Sequence, residues 1–318
     1  MQQRSKSLIW VTPLQRLIQI FDLANKGYAI VFQIFDLGNT TAKCHIPIPG
    51  CCHTNWKNPP HGGFFRVGFL YSPFRVDFFR EMVYNTNRFL LGGAKMSLNS
   101  KETVKCPKCG NVSDITVWQS ITVSDSLDLK NDLLKGKLNI FQCPECQHRA
   151  LMPMPLLYHD EEKSLMMSFS PCSSEEKKME LYNDIKKTSK ESGELQNLEG
   201  YNLRFVYDYN SLLEKILIFE NGLSDKVIEV LKVLILMQKT DNMDNMTAMF
   251  GKLEDDFLEF LITDKTDNAC YTSKIPMESY KTVKIQLNQS GVKDYSFDWE
   301  IVDLEYGMSL LKGRNNSF

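Results

Sequence analysis

The sequence predicts an α+β fold, and three observations predict it. The phrase Cys-Pro-x-Cys is spelled twice, at Cys106–Cys109 and Cys143–Cys146, among apolar residues that alternate with the period of a strand. Two later segments, NSLLEKILIFENG and LSDKVIEVLKVLILMQK, carry helical periodicity between a cap residue and a stop or polar end. The final stretch returns to strands joined by a polar turn and adds one more helix.

The totals bound the class before any motif is weighed. A chain of 318 residues with 43% apolar and 24% charged content can bury a core, and by length two domains are favoured over one. No stretch is long and apolar enough for a transmembrane helix, and Pro13 and Arg16 interrupt what would be the apolar part of a signal peptide. The expected compartment is therefore the reducing cytoplasm, where paired cysteines read as metal ligands or redox groups before disulfides.

Residues 1–95 differ in kind from the rest. They hold 11 Lys+Arg against four acids, a balance of +7, with 15 of the 35 aromatic residues and six of the 12 prolines, which leaves −9 for residues 96–318. Their apolar residues follow neither the 3.6 nor the 2.0 period for long. If Gly92 is encoded by GGA, the codons of Gly92–Met96 read as a bacterial ribosome-binding site just ahead of an ATG. The expectation is translation from Met96, with residues 1–95 a doubtful segment of upstream sequence read in frame. A folded accessory domain and an Arg-rich transit peptide are the rival readings. Cys44, His45, Cys51, Cys52 and His53 cluster there, but with the spacing of no standard zinc module.

From Met96 onward the pattern is orderly. Two CxxC pairs separated by residues 110–142 offer four soft donors from two tight turns, which is what a closed tetrahedral zinc site requires. Pro107 and Pro144 fix φ in the turns, and Gly110 supplies conformational freedom where the second turn has Gln147. The candidate ligands are Cys106, Cys109, Cys143 and Cys146, with Zn2+ as the expected ion. A thioredoxin-like redox pair would leave the other pair unexplained, while iron or an iron-sulfur centre would share the ligands. His148 is read as a neighbour of the site or a surface residue.

Between the pairs, DITVWQSITV reads as one strand around a bulge, SDSLDLKNDLLKG as a helix capped by Asp125 or Ser126 and stopped by Gly136, and KLNIFQ as a strand. RALMPMPLLYHDEEKSLMMSFSP reads as two strands joined by a turn over His159–Lys163. Tyr158, His159 and Asp160 cannot converge as an acid-base trio, because consecutive strand residues face opposite ways. Cys172 lies ahead of a capping pattern, Ser173-Ser174-Glu175-Glu176, and has no evident basic partner.

The two motifs, the spacer ending LLKGKLNIFQCPEC and the tail MPMPLLYHDEEKSLMMSFSP together resemble the CpXC family, a bacterial and archaeal domain. The resemblance extends over roughly residues 102–230. It implies a zinc-binding domain with no established activity, and by position it carries over Cys106, Cys109, Cys143 and Cys146.

Further on, SSEEKKMELYNDIKKTSKES predicts a charged, solvated helix, and residues 189–200 a linker. Asn210 and Gly222 bound the next helix; Ser224 caps another that is apolar nearly all round, so it belongs in a core or, less favourably, at a dimer interface. DFLEFLIT and NACYTSKI form a hairpin about Asp264–Asp267, Pro276 begins a helix, and Cys270 is a small buried residue. Glu254, Asp255, Asp256 and Glu259 read as a solvated edge.

The expected architecture is thus a zinc-ribbon-like β domain with an inserted helix (96–172), a helical segment (173–240) and a small C-terminal α+β module (241–318). The expected function is zinc binding without catalysis, as an interaction or regulatory module with a protein partner. A nucleic-acid-binding zinc ribbon is the alternative, opposed by the balance of −9. An enzyme with its site between domains is another, though no P-loop, G-x-S-x-G or HExxH is present.

Overall fold

A computed structural model describes residues 97–152, 154–191, 198–239, 243–267, 269–296 and 298–312. The expectations for residues 1–95, the Met96 start and the Cys44 to His53 cluster lie outside the described residues. The chain divides into two compact units, whose described parts are 97–209 with 298–299, and 210–296 with 300–312. The fold is α+β.

In the first unit, β1 (Asn99–Lys105) and β2 (Val112–Trp118) pair antiparallel from Asn99↔Trp118 to Lys105↔Val112, with the first CPxC turn between them. The chain then leaves this ladder. β3 (Ser120–Thr122) pairs parallel with β6 (Leu156–Asp160) in another sheet, so the single bulged strand expected through DITVWQSITV is two strands. Burial explains the switch: all three residues of β3 are buried, whereas β2 alternates as a half-exposed hairpin strand does. Asn139 marks the break, accepting from the Trp118 N–H at 2.8 Å and donating to the Trp118 carbonyl at 3.0 Å.

Helix α1 (Leu127–Leu134) follows Ser126 and ends where Gly136 takes φ +62°. A second short hairpin, β4 (Ile140–Gln142) and β5 (Arg149–Leu151), encloses the second CPxC turn. β5 and β6 were expected as one strand. They are separate, since Pro155 can donate no ladder hydrogen bond and the chain passes from a two-stranded hairpin into a four-stranded sheet, in which β3 and β6 are followed by β7 (Leu165–Phe169) and β8 (Asn202–Val206). β6 and β7 (Leu165–Phe169) are buried throughout and antiparallel. The turn joining them spans residues 161–164, not His159–Lys163, because His159 and Asp160 still pair in β6.

Strand alternation then sorts the three polar side chains as expected. The Tyr158 hydroxyl donates to Asp160 Oδ2 at 3.3 Å, beside the buried Lys130 ammonium at 3.2 Å. His159 faces the other way and meets the Tyr201 hydroxyl at 3.3 Å.

Helix α2 (Glu175–Glu191) crosses over from β7 to β8 (Asn202–Val206), which pairs parallel with β7 and was not anticipated. Ser174 Oγ accepts from the Lys177 N–H at 3.2 Å, so the capping pattern is used. The charged helix is not simply solvated. Tyr182 donates to the Trp299 carbonyl at 2.8 Å, the Trp299 indole donates to Ser189 at 2.9 Å, and Lys186 and Lys190 reach Asp298 at 3.2 and 3.1 Å. α2 continues to Glu191, so the first three residues of the expected linker are helical; residues 192–197 lie outside the described ones.

The second unit holds α3 (Tyr209–Glu220, apart from its first residue), α4 (Asp225–Lys239), β9 (Met246–Glu254), β10 (Phe257–Asp264), β11 (Cys270–Pro276), α5 (Met277–Gln289) and α6 (Leu304–Lys312). The strands form an antiparallel sheet of order β11-β10-β9. The predicted hairpin is β10–β11; β9 and α6 were not anticipated. Val227, Ile228, Leu231 and Leu236 of α4 join Phe250, Phe260 and Ile262 of the sheet and Val283 and Leu287 of α5 in one core. That is why α4 is apolar nearly all round.

Two features of this core are unusual. Glu214, Lys215, Asp225, Glu229 and Lys232 are all buried, with Lys232 3.0 Å from both Glu214 and Glu229 and Lys215 2.9 Å from Asp225. The Phe250 N–H also donates to Glu214. Gly307 of α6 is the second. A Cβ there would stand 2.7 Å from the Glu229 carbonyl oxygen, so Gly307→Ala is expected to destabilise the unit by about 1–3 kcal/mol through overpacking, read as a lower urea midpoint at unchanged m-value. Among the described residues, no helix is long and apolar enough to cross a membrane.

Candidate metal centre

The two CPxC turns are built alike by their hairpins. In the first, the Cys106 N–H donates to the Asn111 carbonyl at 2.7 Å and the Gly110 N–H to the Cys106 carbonyl at 2.9 Å. In the second, the Cys143 N–H donates to the His148 carbonyl at 2.9 Å and the Gln147 N–H to the Cys143 carbonyl at 3.0 Å. Gly110 and Gln147 both take positive φ, +76° and +56°. Gln147 tolerates this because its amide donates to the Pro144 carbonyl at 3.0 Å and accepts from Gln142 at 2.7 Å.

These turns bring all four predicted ligands together. The Sγ atoms of Cys106, Cys109, Cys143 and Cys146 lie within 4.8 Å of one another. Cys106 and Cys146 are 3.6 Å apart, Cys109 and Cys143 3.5 Å. Four thiolates around one zinc at about 2.3 Å would be separated by about 3.8 Å along each tetrahedral edge, so the set has the size a metal ion needs. Cys106 and Cys143 are buried, packed with Val104 and Phe141, while Cys109 is exposed and Cys146 intermediate.

The backbone around the sulfurs favours negative charge at the buried pair. Burial raises the Cys106 thiol, but the N–H groups of Cys109 and Lys108 outweigh it and bring it down to about 6. The Cys146 N–H lowers Cys143 against its burial, helped by that of Glu145. At Cys109 the Asn111 N–H lowers the thiol, yet burial and the neighbouring sulfurs carry it up to about 12. Four sulfurs thus compete for negative charge that a cation would satisfy.

The other sequence candidates do not join the cluster, which contains only the four cysteines among the described residues. His148 contributes its carbonyl to the turn. Burial raises the Cys172 thiol, and Cys270 Sγ lies 3.6 Å from Thr263 Oγ1. Glu254 pairs with Lys252 at 2.7 Å and Glu259 with Lys274 at 3.6 Å, while Asp255 and Asp256 make a tight turn at φ +48° and +63°. Sequence reasoning passed over Asn111 and placed His148 only beside the site or on the surface; the carbonyls of both close the knuckles, and their position five residues after each leading cysteine is the signal.

No curated protein and no solved structure matches the chain. Residues 104–232 match the family model described as CpXC protein. Both motifs fall inside that span and fold into a four-cysteine cluster of the metal-binding kind. Over residues 104–232 the chain is thus similar to the CpXC family.

Proposed function

We propose that the protein binds one zinc ion in a closed, non-catalytic site, and that the domain so stabilised serves as a protein-interaction or regulatory module of the cytoplasm. The observation that carries the reading is the convergence of four sulfurs from two matched turns, which fills a tetrahedral shell and leaves no position for water or substrate. Zinc is preferred to iron on availability and on its frequency in four-thiolate sites. The topology supports a structural role. β1–β2 and β4–β5 are separate two-stranded sheets, each marginal on its own, and a shared ion would clamp one to the other. Cys106 and Cys109 would hold it from the first hairpin, Cys143 and Cys146 from the second. A protein partner fits the charge better than nucleic acid does: the balance of −9 over residues 96–318, deepened by four thiolates on a divalent ion, repels phosphate.

Cobalt substitution tests the closed site. The Co2+ form should show the visible bands of a tetrahedral tetrathiolate, and adding azide, cyanide or imidazole should leave the spectrum unchanged. A spectral shift on adding such a ligand would reveal an open position and defeat the non-catalytic reading.

A further inference from the structure

We propose that this site, resting on the metal reading above, is also a peroxide-responsive switch whose oxidised form carries two disulfides between the hairpins, Cys106–Cys146 and Cys109–Cys143. Each of these close pairs, at 3.6 and 3.5 Å, joins a sulfur of one turn to a sulfur of the other. Each also joins a buried cysteine to a more accessible one. Cys106 and Cys143 are 2% and 0% exposed, whereas Cys109 is exposed and Cys146 intermediate. A small oxidant therefore meets Cys109 and Cys146 first, with the buried partner directly behind.

The chemistry balances with hydrogen peroxide as oxidant. Cys109, which would be a thiolate while it ligates the ion, attacks one peroxide oxygen, the O–O bond breaks, and a sulfenic acid and hydroxide result. The Cys143 thiolate then attacks the Cys109 sulfur, forming the S–S bond and expelling hydroxide; two protons convert both hydroxides to water. Two sulfurs lose one electron each, and the peroxide gains both. Cys146 and Cys106 repeat the sequence with a second peroxide. Closing from 3.5 Å to a disulfide length of about 2.05 Å calls for short side-chain movements.

The pairing decides the consequence. Disulfides within each CxxC turn would release the ion and unlink the hairpins. Disulfides between the turns release the ion yet leave β1–β2 joined to β4–β5, so the oxidised domain keeps its fold and becomes indifferent to chelators.

The full-length protein can be tested as it is. Its metal content is measured first, hydrogen peroxide is added with a metallochromic dye present, and free thiols are blocked. Trypsin cuts after Lys108 and a Glu-specific protease after Glu145, placing each of the four cysteines on its own peptide. The expected products are the Cys106–Cys146 and Cys109–Cys143 linked peptides, with one metal ion freed for two peroxides consumed. Pairing within the turns, linkage between chains, or sulfinic acids without disulfides would overturn the proposal. A chain that held no metal beforehand would sink the metal reading alone, since its peptides would still report which sulfurs pair.

Discussion

Cys143→Ser is expected to abolish metal binding and to remove the folded state of the two hairpins. Cys143 is fully buried, sits 3.5 Å from Cys109, and has its thiol held down by the N–H groups of Cys146 and Glu145. A serine hydroxyl supplies no anion at neutral pH, so the shell drops to three sulfurs and the N–H groups lose the charge they face. Structural zinc contributes about 10–16 kcal/mol in small peptides, against a whole-domain stability of about 5–15 kcal/mol. Loss of one ligand therefore threatens the entire unit. Metal analysis should fall from one ion per chain to background, and amide exchange should accelerate through β1, β2, β4 and β5. Protection in β9 and β10, in the other unit, should persist. Cys172→Ser, outside the cluster, is the control and should leave both readouts unchanged.

Lys232→Met should be the next largest effect, and it falls on the other unit. The Lys232 ammonium lies 3.0 Å from both Glu214 and Glu229, with all three side chains no more than 8% exposed. Removing it strands carboxylates that neither water nor Lys215 alone can satisfy, at an expected loss of about 3–5 kcal/mol. The loss should depend on pH. Burial, opposed by Lys232 and Lys215, already raises the Glu229 carboxyl from 4.5 to about 7. A carboxyl with a raised folded value costs nothing where both states are protonated, and stability is lost as pH rises from the unfolded value through the folded one. Without Lys232 the folded value climbs further, so urea midpoints of mutant and parent should diverge more at about pH 8 than at about pH 5. Lys252→Met, breaking the exposed pair with Glu254, should leave the urea midpoint close to that of the parent.

The four-cysteine cluster was legible in the sequence because its determinants are local. Each CPxC turn specifies two converging thiols within four residues, and only the meeting of the two turns had to be inferred. Helices with clear caps and stops, such as α1 and α4, were legible for the same reason. The misreadings share a different cause. Trp118 to Ser120 looks like a bulge, but the chain changes sheets there, and that is decided by Asn139 and by β6, both distant in sequence. β8 and β9 went unseen although Gly200 precedes one and the turn at Asp255 and Asp256 follows the other; their strand character comes from pairing with β7 and β10. The charges of α2 were taken as solvated because Asp298 and Trp299, which meet that helix, lie more than a hundred residues away.

The most direct measurement of the central claim is the metal content of the purified full-length chain, followed by amide exchange with and without a strong chelator under reducing conditions. One tightly held ion per chain, whose removal exposes residues 99–118 and 140–151 to rapid exchange, is the predicted result. A chain that carries no stoichiometric ion, or one whose hairpins stay equally protected after the ion is stripped, would contradict it.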